Sequence, residues 1–82
     1  MKFSGHAIDR LNVRRIEFSP NEAARLVTAV EKAAQKGAQT SLVLIDDLAL
    51  VVSIKNRTVI TVADSDHLKE NVFTNIDSAV IV

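Results

Sequence analysis

Apolar residues recur at two different periods along this chain, and the change from one to the other divides it into a helical first half and a strand-forming second half. Ser4 is an N-cap for a short helix running to about Asn12, with Ala7, Ile8 and Leu11 on one side and His6 and Arg10, four apart, on a neighbouring face. Two turns of helix do not persist alone in water, so this one must dock on something larger. After Val13-Arg14-Arg15 comes the strongest local signal, Ser19-Pro20-Asn21-Glu22. Serine caps, proline fits the first helical position and glutamate closes a capping box. Ala23, Leu26, Val27, Val30, Ala33 and Ala34 follow as an apolar stripe, and Lys36-Gly37 supplies a basic last turn with a glycine stop. The second helix is therefore expected over about 19 to 36.

From Ser41 the pattern shortens to β-rich runs, Ser41 to Ile45, Leu48 to Ile54 and Thr58 to Ala63, separated by Asp46-Asp47 and Lys55-Asn56-Arg57. Those separations are hairpin lengths and predict an antiparallel meander. Leu48, Leu50, Val52 and Ile54 fall on one face, with Ala49, Val51 and Ser53 on the other. Because alanine and valine populate that second face, it is expected to be covered in part. Ala79-Val80-Ile81-Val82 forms a fourth, terminal strand. The expected fold is α+β over a single domain, residues 1–82, with two N-terminal helices packed on a small antiparallel sheet in the order α-α-β-β-β-β. The last strand carries no charge after Asp77 and no proline. Unless it is central, it is a template for pairing with another chain, and so for a homo-oligomer through a sheet edge.

Composition narrows the possibilities. A domain of 82 residues buries only about 60% of the surface its unfolded chain exposes, so its stability is thin without a supplement. Cysteine is absent, which removes disulfides, cysteine zinc sites and thiol nucleophiles. Ten basic and ten acidic residues cancel, so no global field draws the chain to nucleic acid or an anionic membrane. No window approaches the ~18 apolar residues of a membrane span, and the first residues lack a secretory signal, which leads to the expectation of a cytoplasmic protein. Two glycines cannot build a phosphate-binding loop. Gly37 serves as a helix stop, and close packing accounts for Gly5.

Two constellations carry candidate chemistry. His6 and Arg10, with Arg14 and Arg15 nearby and His67 and Lys69 further on, supply the imidazole and cations that an RNA-cleaving site requires. The purely structural account has Arg10 paired with Asp9, Asp46 or Asp47 while His6 helps to begin the helix. With three phenylalanines as the whole aromatic complement, no platform for stacking bases is evident, and nucleic acid is not the expected partner. Asp64-Ser65-Asp66 has part of a calcium-loop pattern without its glycine, and reads as turn or cap residues; neither metal nor cofactor is expected. The second constellation is the tail, Leu68 to Val82. It sets Phe73, Ile76, Val80 and Ile81 as apolar anchors among Asn71 and Asn75, whose amides can bond backbone groups, and it reads either as a core-closing tail or as a partner-binding surface.

KFSGHAIDRL near the start, SLVLIDDLALVVSIKNRTVIT in the middle and LKENVFTNIDSAVIV at the end together resemble the small bacterial flagellar operon protein family, whose genes lie among those for the hook and hook-cap proteins. The resemblance implies a non-enzymatic factor in flagellar biogenesis, at hook-stage assembly or its regulation, with hook or hook-cap assembly proteins as partners. Asn71, Phe73, Asn75, Ile76, Val80 and Ile81 are the expected contact residues. Two departures stand out. Arg14-Arg15-Ile16 occupies the place where the family commonly looks like arginine-glycine-isoleucine, and relatives often carry a polar N-terminal extension ahead of this domain. HAxxRL is shared with broader groups of small α+β domains, some related to toxin-like ribonucleases. The alternative reading is therefore a ribonuclease-toxin-like or RNA-binding domain using His6, Arg10 and Lys69.

Overall fold

The computed structural model describes residues 1–64 and 78–81. In chain order the elements are β1 (Lys2–Phe3), α1 (Gly5–Val13), α2 (Pro20–Gln35), β2 (Thr40–Ile45), β3 (Leu48–Ser53), β4 (Thr58–Asp64) and β5 (Ser78–Ile81). They form one five-stranded sheet in the order β1-β4-β3-β2-β5, with β2-β3-β4 the expected antiparallel meander. The outer strands correct the expectation of a four-stranded, wholly antiparallel sheet, because β1 runs parallel to β4 and β5 parallel to β2. The reason lies in the connections. The consecutive pairs β1–β2 and β4–β5 each run in the same direction and are not neighbours, so neither can be a hairpin; between β1 and β2 the two helices carry the chain back to the starting end of the sheet. Strand β1, two residues long, is too short to show any alternation in sequence.

Both helices begin as their capping residues dictate. Ser19 Oγ accepts from the Glu22 N–H at 3.1 Å while Glu22 Oε1 accepts from the Ser19 N–H at 3.2 Å, completing the box with proline just inside. Ser4 Oγ accepts from the Ala7 N–H at 3.0 Å. Both helices also end alike. The Gly37 and Ala38 N–H groups donate to the Ala34 and Ala33 carbonyls, and the Arg15 and Ile16 N–H groups donate to those of Asn12 and Leu11, the Schellman pattern in each case. That pattern needs one residue in the left-handed region. Gly37 takes it at φ 78° without steric cost, whereas Arg15 takes it at φ 54° with a side chain. The family-like glycine that this chain lacks falls on the position where the backbone calls for one.

One face of the sheet carries the core. Leu26, Ala29, Val30 and Ala33 of α2 pack on Val43 and Ile45 of β2, Leu48, Leu50 and Val52 of β3, Ile54 and, in β4, Val59 and Val62, with Ala7 of α1 closing one side. Those four α2 positions follow the i, i+3, i+4, i+7 rule, so the buried stripe includes Ala29, and two members of the expected stripe, Ala23 and Val27, face outward. Ile8 is likewise exposed at 46%, so α1 buries Ala7 fully and Leu11 in part. The opposite face is covered in part, as expected: Ala49, Val51 and Ala63 are buried, while Leu42, Leu44 and Ser53 are half-buried. Nothing lies within 4 Å of a Cβ built on Gly5, so close packing does not account for that residue.

The turns follow sequence chemistry. Asp46 takes φ 53° in the two-residue β2–β3 turn, where aspartate tolerates a left-handed backbone, and its carboxylate accepts two hydrogen bonds from Arg25 at 3.1 and 3.2 Å. Those bonds push the Arg25 pKa above its ordinary value, against the opposing effect of desolvation. As the raised pKa lies far above neutrality, the stabilising charge on Arg25 is present throughout the physiological range and lost only in strong base.

Candidate functional site

Two surfaces hold the candidate residues, at opposite ends of the sheet. The first is β5, an edge strand that pairs with β2 through Ser41↔Ser78, Leu42↔Ala79, Val43↔Val80 and Leu44↔Ile81. Among the described residues no strand pairs with its outer side. Val80 is half-buried and packs against the core, while Ile81, at 79% exposure, points away from it. Alternation along a strand makes this split obligatory, so the two neighbours of the expected contact set cannot serve one surface equally. Asn71, Phe73, Asn75 and Ile76 lie outside the described residues, as do Ser65, Asp66, His67 and Lys69.

The second surface is built by α1 and the far strand. Strand β1 covers β4 only through Lys2↔Thr58 and Phe3↔Val59. At that point β4 bulges. Val52 faces Val59 while Val51 faces Thr61, leaving Ile60 as the extra residue, 42% exposed. Ser4 fastens the junction, its N–H donating to the Val59 carbonyl at 2.9 Å and its Oγ donating to the Ile60 carbonyl at 2.7 Å while capping α1. The chain then leaves the sheet as α1. Between this helix and the rest of β4 lies a groove of about 270 Å³, lined by His6, Arg10, Arg14, Ile60, Thr61, Val62 and Ala63.

The structure thus brings His6 and Arg10 together and adds Arg14 to them on successive helical turns. Arg10 Nε donates to His6 Nε2 at 3.5 Å. Of the three carboxylates that the structural account offers Arg10, Asp9, Asp46 and Asp47, Asp46 holds Arg25 instead. Sequence reading missed the role of β4 in this groove, since nothing in Thr58 to Ala63 signals a bulge; the i, i+4, i+8 spacing of His6, Arg10 and Arg14 was the available clue. Among the described lining residues His6 is the sole imidazole and there is no carboxylate. No described helix is long and apolar enough to cross a membrane.

Comparison with curated proteins gives no match, and comparison with solved structures gives none either. One family does match: residues 58–81, from the first residue of β4 to the last of β5, fit the family described as "Putative flagellar". Over that stretch the chain is similar to a flagellar-associated family, and the match points to a flagellar-related role.

Proposed function

We propose that this chain is a non-enzymatic factor of bacterial flagellar biogenesis, working in the cytoplasm at the hook stage through protein contacts. The observation that carries the reading is the family match over residues 58–81, a stretch ending on an edge strand with an exposed isoleucine. Hydrophobic edge strands are pairing templates, and adding a partner's strand to β5 would extend the sheet without disturbing the core on which Val80 rests. Ile81 is the apolar anchor within the described residues; Asn71, Phe73, Asn75 and Ile76 complete the proposed contact set. Hook or hook-cap assembly proteins are the proposed partners, with a second copy of this chain able to use the same edge.

The experiment is genetic. Deleting the gene in flagellated cells and restoring it as wild type or as Ile81→Lys separates folding from contact, because an exposed position tolerates charge. Hooks visible by electron microscopy with the wild type but absent with a stably accumulated Ile81→Lys protein support the reading. Normal hooks in the deletion strain contradict it.

A further inference from the structure

We infer that the β5 edge of the free protein is taken by β5 of a second copy, added antiparallel about a two-fold axis through Val80, so that a flagellar partner gains the edge by displacing it. The inference rests on the reading above that β5 is the contact edge, and adds to it a register and a competitor.

Strand β5 is the outer strand on its side of the sheet, and no described strand pairs with its far side. Side-chain exposure agrees. Ala79 is exposed, whereas Ala49 of β3 and Ala63 of β4, on the same face of the sheet, are buried, and Ile81 stands almost clear of the protein. Symmetry then sets the register. Opposite residues of an antiparallel pair share a face of the sheet, and faces alternate along a strand, so a two-fold axis normal to the sheet passes through a residue and not between two. An axis through Ser78 or Ile81 leaves most of the strand unpaired. One through Ala79 sets Ile81 opposite position 77 of the second copy, an aspartate. One through Val80 sets each Ile81 opposite Ala79 of the second copy, large against small, with the two Val80 residues facing each other on the core side. The β2 pairs Leu42↔Ala79 and Leu44↔Ile81 extend that contact into a row on the second face: Leu44, Ile81, then Ala79 and Leu42 of the second copy, all apolar, and the axis repeats the row. Charge does not oppose the approach, since Ser78 to Ile81 carry none and the chain has zero net charge. A four-residue edge is small beside the ~1,600 Å² of standard complexes, so the pair forms at high concentration and gives way to a partner with a larger contact.

The chain has no cysteine, so introduced thiols report the register directly. Ala79→Cys and Ile81→Cys, both at exposed positions, are expected to form a disulfide-linked mixed dimer in air when combined at high concentration, well above what either variant forms alone. The Val80-centred register sets position 79 against position 81, while like positions lie two residues out of step and too far apart to bridge. Sedimentation of the wild type is expected to pass from monomer to dimer as concentration rises from about 1 μM to 1 mM, and Ile81→Lys to raise the midpoint by about tenfold or more. A purified hook or hook-cap protein that binds the chain, added before oxidation, is expected to suppress the mixed cross-link in proportion to its occupancy. A wild type that stays monomeric throughout, cross-linking as strong in either variant alone as in the mixture, or a cross-link undiminished by the bound flagellar protein overturns the inference. The first two results leave the flagellar reading standing, whereas normal hooks in the deletion strain contradict that reading and leave the pairing of copies intact.

Discussion

Arg15 and Gly37 perform the same backbone task with different side chains, and the pair isolates what a left-handed residue costs. Each follows a helix, each donates into a Schellman closure, and each has positive φ. No atom approaches a Cβ placed on Gly37, so Gly37→Ala adds only conformational strain. It is expected to destabilise the fold by about 1 kcal/mol, and Arg15→Gly to stabilise it by about the same amount. Urea unfolding of the two variants checks both signs; a destabilised Arg15→Gly protein would show that the arginine side chain contributes more than its backbone costs. The helix stop at Gly37 was legible because glycine there is a direct signal. The equivalent stop at Arg15 was not, since arginine is an ordinary helix residue and only the closing hydrogen bonds reveal its conformation.

At the scale of elements, sequence pattern located both helices and the three central strands to within a residue or two, because each presents enough alternation or helical period to be read. The apolar stripe of α2 was legible in period and only partly in phase: Leu26, Val30 and Ala33 are buried as expected, while Ala23 faces outward and Ala29 is buried in its place, because hydrophobicity alone does not rank the alanines. At the edges of the sheet β5 was legible as a strand but not in direction, and β1 was not legible at all. Neither two residues of β1 nor four of β5 encode direction, which the connections decide instead. Ser4 links these levels, since one hydroxyl caps α1 and holds the bulge of β4. Ser4→Ala is expected to cost about 1–2 kcal/mol by losing both bonds, and Ser4→Asp to restore only the cap, because a carboxylate cannot donate to the Ile60 carbonyl. Thermal melts of the two variants report this. Identical stability for Ser4→Asp and the wild type would show that the bulge bond contributes nothing.

The whole molecule is a small core with two unlike edges. One is β5, uncharged in the described residues and ending in an exposed isoleucine; the other is the cation-walled groove beside β4. A chain with zero net charge presents no general electrostatic attraction, so any contact it makes must be local. The apolar surplus that made a partner plausible from composition was legible in the sequence, as was the exposed terminal strand. The groove was legible only as a spacing of cations on α1, because its other wall comes from a strand some fifty residues away and depends on a bulge that no residue type announces.

The central claim, a protein contact at the β5 edge serving the flagellum, is tested most directly by binding of the purified chain to purified hook and hook-cap proteins, measured beside Ile81→Lys. The account predicts saturable binding to one of them that Ile81→Lys abolishes while its circular dichroism and unfolding midpoint stay those of the wild type. Binding left intact by Ile81→Lys, or no binding to either protein, would contradict it.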